Sequence, residues 1–213
     1  MKNKQLAAFV VDAQKGFTPL CPDELPILGG DTIAPALMEM MEACNIIVGS
    51  KDAHPDNAVW IADKKRPMLT PLNLPNADMT WNKHCVVGTE GFELLDGLPD
   101  PMAFDYFVWK GIEPHVHPYG ACYHDLANSM STGVIEYLRS KNIHRVVVGG
   151  LAYDFCVGTT AVQLKHAGFD VYVYEPATRG ISEQGIADMN SKFQSLGITV
   201  IDTLDDFYED IQL

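Results

Sequence analysis

The chain's 213 residues are enough to bury about two-thirds of the surface that the unfolded form exposes, and 47% hydrophobic with 20% charged residues is the composition of an ordinary globular protein. A formal net charge of −13 argues against nucleic acid and anionic lipid as partners, because both need clustered Lys and Arg and no such cluster occurs. Five scattered cysteines, odd in number and without a CxxC pair, argue against a disulfide framework and leave at least one free thiol.

The N-terminus MKNKQLAAFVVDAQ carries two lysines and an apolar run, but Asp12 breaks that run before it reaches signal-peptide length. No segment approaches the roughly 20 apolar residues of a membrane span, so the expected compartment is the cytoplasm, with no membrane partner. From that start, strand-like runs alternate with helical ones. LAAFVVD (6–12) is followed by the helical DTIAPALMEMMEAC (31–44) and by NIIVGSKD (45–52). Residues 53–103 form a long insert rich in Pro, Asn and Asp, of the kind that is functional or flexible in a compact domain. Alternation resumes with FDYFVWK (104–110), SMSTGVIEYLRSKN (129–142), HRVVVGGLA (144–152), VGTTAVQLKHAG (157–168), FDVYVYEP (169–176), SEQGIADMNSKFQSLG (182–197) and ITVID (198–202). Continuous Val/Ile runs describe strands buried on both faces. The pattern therefore predicts one α/β domain over residues 1–213, with a parallel sheet between two helical layers.

Ligands of such sheets bind beyond the C-terminal strand ends, where Asp12, Asp52, Lys110 and the turn from Ala152 to Cys156 fall. Cys156 follows a strand and opens a helix, where free N–H groups and the helix dipole favour a thiolate and can hold an oxyanion. A lone Cys is more often simple packing, a strand-terminal Asp a turn residue, and a Lys a solvated surface group. Together on one sheet edge, the three make a nucleophile, a base and an orienting cation.

A second group is built on KDAHP. In a D-x-H pair, alternate residues project to one side and offer a carboxylate oxygen and an imidazole nitrogen to one ion. Asp52 and His54 form this pair, and His84 in TWNKHCVVGTEG is a third candidate. Asp63, in the same insert, is either a further carboxylate or an exposed loop acid. His115 and His117 in EPHVHPYG have no carboxylate near them in sequence and carry less weight, as do His124, His144 and His166; Cys85 reads as packing.

In order along the chain, VVDAQKGF, KDAHP, WNKHCVVGTEG, WKG, PYGACY and GGLAYDFCVGTTAVQLKHAGF resemble the successive motifs of the isochorismatase-like cysteine hydrolases, specifically their nicotinamidase branch. The resemblance covers residues 8 to about 178. It implies a three-layer Rossmann-like α/β fold with a six-stranded, mostly parallel sheet. It implies a triad of Asp12, Lys110 and Cys156, with an oxyanion held by the N–H groups of Ala152 and Cys156 and a cis peptide between Leu151 and Ala152. The implied reaction is hydrolysis of nicotinamide to nicotinate and ammonia in NAD salvage, through an acyl-thioester, with pyrazinamide a possible second substrate. The implied cofactor is one divalent metal, zinc before iron or manganese, on Asp52, His54 and His84. Phe17, Trp81 and Tyr119 would line the ring pocket, with Phe155 standing where His or Tyr is commoner. Trp60 occupies roughly the place where some branches carry a further His ligand, which leaves Asp63 or water for that role. The resemblance also implies a homo-oligomer. Other readings are an amidase of the same superfamily acting on another small carboxamide or carbamoyl compound, and a catalytically silent metal-binding domain.

Overall fold

Six consecutive buried residues, Leu6–Val11, make β1, with no alternation because both of its faces are covered. A computed structural model describes residues 6–209 of the chain. After β1 come α1 (Ala34–Glu42), β2 (Ile46–Asp52), the short antiparallel pair β3 (Pro71–Leu74) and β4 (Ala77–Met79), β5 (Tyr106–Lys110) and α2 (Val134–Ser140). The second half holds β6 (Arg145–Leu151), α3 (Gly158–His166), β7 (Asp170–Arg179), α4 (Glu183–Leu196), β8 (Thr199–Ile201) and α5 (Leu204–Glu209).

The main sheet has the order β5-β2-β1-β6-β7-β8, and every neighbouring pair is parallel. The sequence order therefore reverses between β1 and β6, the switch point at which open sheets of this kind form their ligand crevice. Successive β1 residues feed opposite faces. Leu6, Ala8 and Val10 pack with Leu37 and Met40 of α1 and with Leu204 and Phe207 of α5. Ala7, Phe9 and Val11 pack with Leu138 of α2, Ala161 and Leu164 of α3, and Phe193 of α4. Each fully buried Leu or Phe contributes about 1.5–3 kcal/mol, so the two apolar layers hold the sheet from both sides.

At the switch point, Gly150 pairs with Val11 and has φ of 125°, and a Cβ there would lie 1.8 Å from the Val11 carbonyl oxygen. Only glycine allows β1 and β6 to run so close, which brings the turn after β6 beside the end of β1. Ser182 caps α4 by accepting from the Gly185 N–H, and Gly197 ends it at φ of 68°, the termini that the sequence predicts.

Three features depart from the sequence reading. β7 continues past Pro176 to Arg179, because the register against β6 shifts between Val148 and Gly150 and a proline fits such an irregularity. α5 is an additional short helix. The connection from β6 to α3 is a wide π-helical turn over Tyr153–Val157 rather than a direct entry into the helix.

Candidate active site

The register of β2 against β5 sets Asp52 opposite Lys110 at the ends of the two strands. Lys110 is completely buried, and its Nζ lies 2.5 Å from Asp52 Oδ1, 2.9 Å from Asp12 Oδ2 and 3.7 Å from Cys156 Sγ, while donating to the Pro118 carbonyl at 3.2 Å. A buried ammonium is tolerated only when paired, and this one has two carboxylates. Asp12 leaves β1 at φ of 45°, a conformation that Asp tolerates better than most residues. Its N–H donates to the Ser50 carbonyl and its Oδ1 accepts from Ser50 Oγ at 2.7 Å. The Gln14 amide reads both backbone groups of Asp52, donating to its carbonyl at 2.9 Å and accepting from its N–H at 2.8 Å.

These surroundings drive the two carboxyls apart. Burial raises the Asp12 carboxyl from 3.8 to about 6 against the pull of Lys110. Burial also acts on Asp52, but Lys110 and His54 outweigh it and hold that carboxyl below the ordinary range. Desolvation would lower Lys110, yet Asp12 and Asp52 keep it firmly charged. Cys156 departs from the sequence expectation. Burial, with the nearby Asp12 and Asp52 charges, pushes its thiol well above 9 despite Lys110, so the resting group is a thiol and the helix terminus does not decide its charge.

Cys156 sits in the π turn, whose Ala152 carbonyl accepts from the Phe155 and Val157 N–H groups. The Asp154 carboxylate ties the turn to the start of α4 by accepting from the N–H groups of Ile181 and Ser182. The Leu151–Ala152 peptide is cis. A carboxylate oxygen from each of Asp12 and Asp52 and the Cys156 sulfur lie within 4.8 Å of one another.

Next to this group, ring nitrogens of His54, His84 and His117 also lie within 4.8 Å of one another, all three side chains being buried. Carbonyl acceptors assign two tautomers: His54 Nδ1 donates to Gly111 O at 3.0 Å and His84 Nδ1 to Asn82 O at 2.6 Å. With Nδ1 so engaged, each ring turns Nε2 toward the cluster, the nitrogen through which a histidine oriented by its second nitrogen binds a metal. His54 Nε2 lies 3.5 Å from Asp52 Oδ2. Burial first, then the neighbouring His54, lowers His84 to about 3 and His117 well below 6.5, so both stay neutral. His54 Nε2 and both nitrogens of His117 are buried without a hydrogen-bond partner. Imidazole nitrogens without partners beside an adjacent anion form a donor set suited to a divalent ion.

Between the histidines and Cys156 lies a narrow pocket whose lining includes Phe17, Trp81, His84, His117, Tyr119, Ala152, Phe155 and Cys156. Trp81 meets Phe155 edge-on at 4.8 Å and donates from Nε1 to the Tyr119 hydroxyl, which donates in turn to Asp78 Oδ1 at 2.6 Å. The walls are thus mostly flat and apolar, with the thiol on the lining and nitrogen donors beside it.

The family model described as the isochorismatase domain matches residues 7–205. The chain belongs to the isochorismatase family. Within it the similarity runs to the nicotinamidase branch: a nicotinamidase of Acinetobacter baylyi is 34% identical over 192 residues, 88% of this chain and 85% of its own. The solved nicotinamidase pyrazinamidase of Acinetobacter baumanii superposes with a TM-score of 0.88 at 30% identity, covering 96% of this chain and 99% of its own. The pyrazinamidase of Pyrococcus horikoshii, solved in complex with zinc, gives 0.75 at 26% identity, covering 93% and 99%.

Of the candidates in this isochorismatase-family chain, Asp12, Lys110, Cys156, Asp52, His54, His84 and the four aromatic residues come together around one pocket. Asp63 does not join them. It is half exposed, and its carboxylate closes its own turn by accepting from the N–H groups of Lys65 and Arg66 and from the Arg66 guanidinium. His117, given little weight from sequence, stands in the cluster instead. Its partners come from other segments of the chain, and the legible signal was its place just past the end of β5. Gln14, which fixes Asp52, stands in the VVDAQKGF motif without a role assigned from sequence, and Ser50, which fixes Asp12, carries no motif signal.

Proposed function

We propose that this protein hydrolyses nicotinamide to nicotinate and ammonia through a thioester on Cys156, as a step of NAD salvage. The observation that carries the reading is the Lys110 ammonium within 3.7 Å of Asp12, Asp52 and Cys156 together, at the side of an aromatic slot. Asp12 takes the Cys156 proton, and Sγ attacks the carboxamide carbon. The N–H groups of Ala152 and Cys156 receive the oxyanion. Asp12 returns the proton to the departing nitrogen, which leaves as ammonia, and then deprotonates the water that cleaves the thioester and restores the thiol. Lys110 stays protonated throughout and balances the carboxylates. Phe17, Trp81, Tyr119 and Phe155 hold the planar ring.

Asp52, whose Oδ2 lies 3.5 Å from His54 Nε2, His54 and His84 are the proposed protein ligands of a divalent cation, with zinc favoured by its fit to nitrogen and oxygen donors and by the zinc in the Pyrococcus relative. Such an ion, when bound, supplies a Lewis-acidic anchor for a ring nitrogen. The Acinetobacter baumanii relative's description supports pyrazinamide as a second substrate.

The test is ammonia release from nicotinamide by purified protein, before and after chelation of metal. Release that chelation abolishes and zinc restores is expected. A folded, metal-loaded protein that releases none would redirect the reading to other small carboxamides or carbamoyl compounds.

A further inference from the structure

His117 is the buried group that the proposed reaction leaves without a task. Its side chain is almost fully enclosed, yet neither ring nitrogen has a hydrogen-bond partner among the described residues. A histidine buried only for packing ordinarily satisfies at least one nitrogen with a carbonyl, carboxylate or water. Here the surroundings are rings: His54 stacked at 5.1 Å and 21°, Trp60 at 4.4 Å, Trp81 stacked at 5.8 Å and His84 edge-on at 5.6 Å. Ring nitrogens of His54 and His84 lie within 4.8 Å of one of those of His117, and the Nδ1 protons of those two rings are already given to Gly111 and Asn82. Converging imidazole nitrogens that share no proton are joined when a cation among them takes up their lone pairs.

The backbone around His117 is fastened on three sides. Trp60 Nε1 donates to the Val116 carbonyl at 3.0 Å, the His117 N–H donates to the Asn76 carbonyl at 2.7 Å, and the Pro118 carbonyl accepts from Lys110 Nζ at 3.2 Å. The residues on either side of His117 are thereby tied, one to the insert that carries His84 and one to the lysine that pairs with Asp52. This is the preorganisation that a ligand position needs. The spacing also fits. Ring nitrogens of His54, His84 and His117 already lie within 4.8 Å of one another, so small side-chain rotations would bring all three to the metal–nitrogen distance of about 2.1 Å from one ion.

We propose that His117, from the segment after β5, is a further protein ligand to the divalent cation held by Asp52, His54 and His84. The inference rests on that metal reading. It turns the site from a D-x-H pair with one distant histidine into three imidazoles and one carboxylate, drawn from the end of β2, the insert and the segment after β5. The Trp60 indole holds the Val116 carbonyl and packs on both His54 and His117.

The test is equilibrium binding of cobalt(II) alone to the chelator-stripped protein, read by titration calorimetry and by the visible absorption of the bound ion. His117→Ala and the more conservative His117→Asn are compared with the parent and with His54→Ala. Thermal unfolding of each stripped variant shows which of them keep the fold. Both His117 variants are expected to bind cobalt at least about tenfold more weakly, since loss of an outer-shell partner alone costs about 10- to 100-fold, and to show a changed absorption spectrum because one nitrogen has left the ligand field. Parental affinity and spectrum in a folded His117→Asn, with His54→Ala impaired, overturn the proposal and leave Asp52, His54 and His84 as the site. A parent that binds no cobalt overturns the metal reading and this inference together.

Discussion

Asp52 and Lys110 are register partners at the ends of β2 and β5, and their ion pair at 2.5 Å is what separates Asp52 from the chemically similar Asp12. Lys110 and His54 hold Asp52 as an anion, whereas Asp12, at 2.9 Å from the same ammonium and fully buried, titrates at about 6. Two carboxyls whose environments split them in this way divide the roles, one charge-balancing and one exchanging protons.

A pH profile follows from that division. The reaction needs ionised Asp12, so kcat/KM for nicotinamide should fall as pH drops through about 6, with near-full activity above 7. For stability the sign is opposite: a carboxyl raised from 3.8 favours the folded state below 3.8, and that contribution disappears as pH rises through about 6. Asp12→Asn should therefore remove turnover by at least about a hundredfold while the protein stays folded at pH 7. An acid limb near 4 would remove Asp12 from the role of base.

Cys156 offers a second check, because sequence and structure give different answers. A helix N-terminus favours the thiolate, but burial beside two carboxylates raises the thiol well above 9. In the substrate-free protein, alkylation of Cys156 by iodoacetamide should be slow at pH 7 and should accelerate continuously toward pH 10. A plateau reached below pH 7 would show a preformed thiolate and restore the helix-terminus account.

What a sequence displays is local. The main-sheet strands were legible because continuous Val and Ile runs have no other stable home than a two-sided sheet, and Asp12, Lys110 and Cys156 because each lies at or just past a strand end. Asp52 and His54 share three residues of one motif. His117 was not legible as a partner of His54, since they lie far apart in sequence and meet only through the parallel pairing of β2 with β5 and the Trp60 bond to Val116. Asp63 misled for the converse reason. It is near His54 in sequence, but its own turn supplies all the donors that its carboxylate accepts. The thiol's charge could not be read either, because it depends on burial that the sequence does not display.

Gly111 ties β5 to the histidine cluster. Its carbonyl accepts from His54 Nδ1, its φ is 69°, and a Cβ there would sit 2.4 Å from His54 Cε1 and 2.6 Å from Nδ1. Gly111→Ala should cost about 1–2 kcal/mol for the left-handed backbone and, separately, displace the His54 ring. Urea unfolding of the stripped protein measures the first effect, and zinc content after dialysis measures the second. A variant that unfolds earlier yet retains stoichiometric zinc would show that the ring accommodates the methyl group, and that Gly111 serves the turn alone.

Phe155 precedes the nucleophile and meets Trp81 edge-on at 4.8 Å and Tyr119 at 5.4 Å, so it forms a wall of the slot without a polar atom to offer the substrate. Its contribution is aromatic contact, worth about 0.5–1.5 kcal/mol beyond area for a ring pair. Phe155→Leu keeps an apolar side chain and removes the ring. KM for nicotinamide should rise by about 2- to 13-fold, the same energy expressed as a ratio, while kcat changes by less than about twofold, because the lost contact is made equally to substrate and transition state. Steady-state kinetics separates the two constants. A fall in kcat at constant KM would mean that Phe155 instead shapes the π turn carrying Cys156, and that the wall of the slot is made by Phe17, Trp81 and Tyr119 alone.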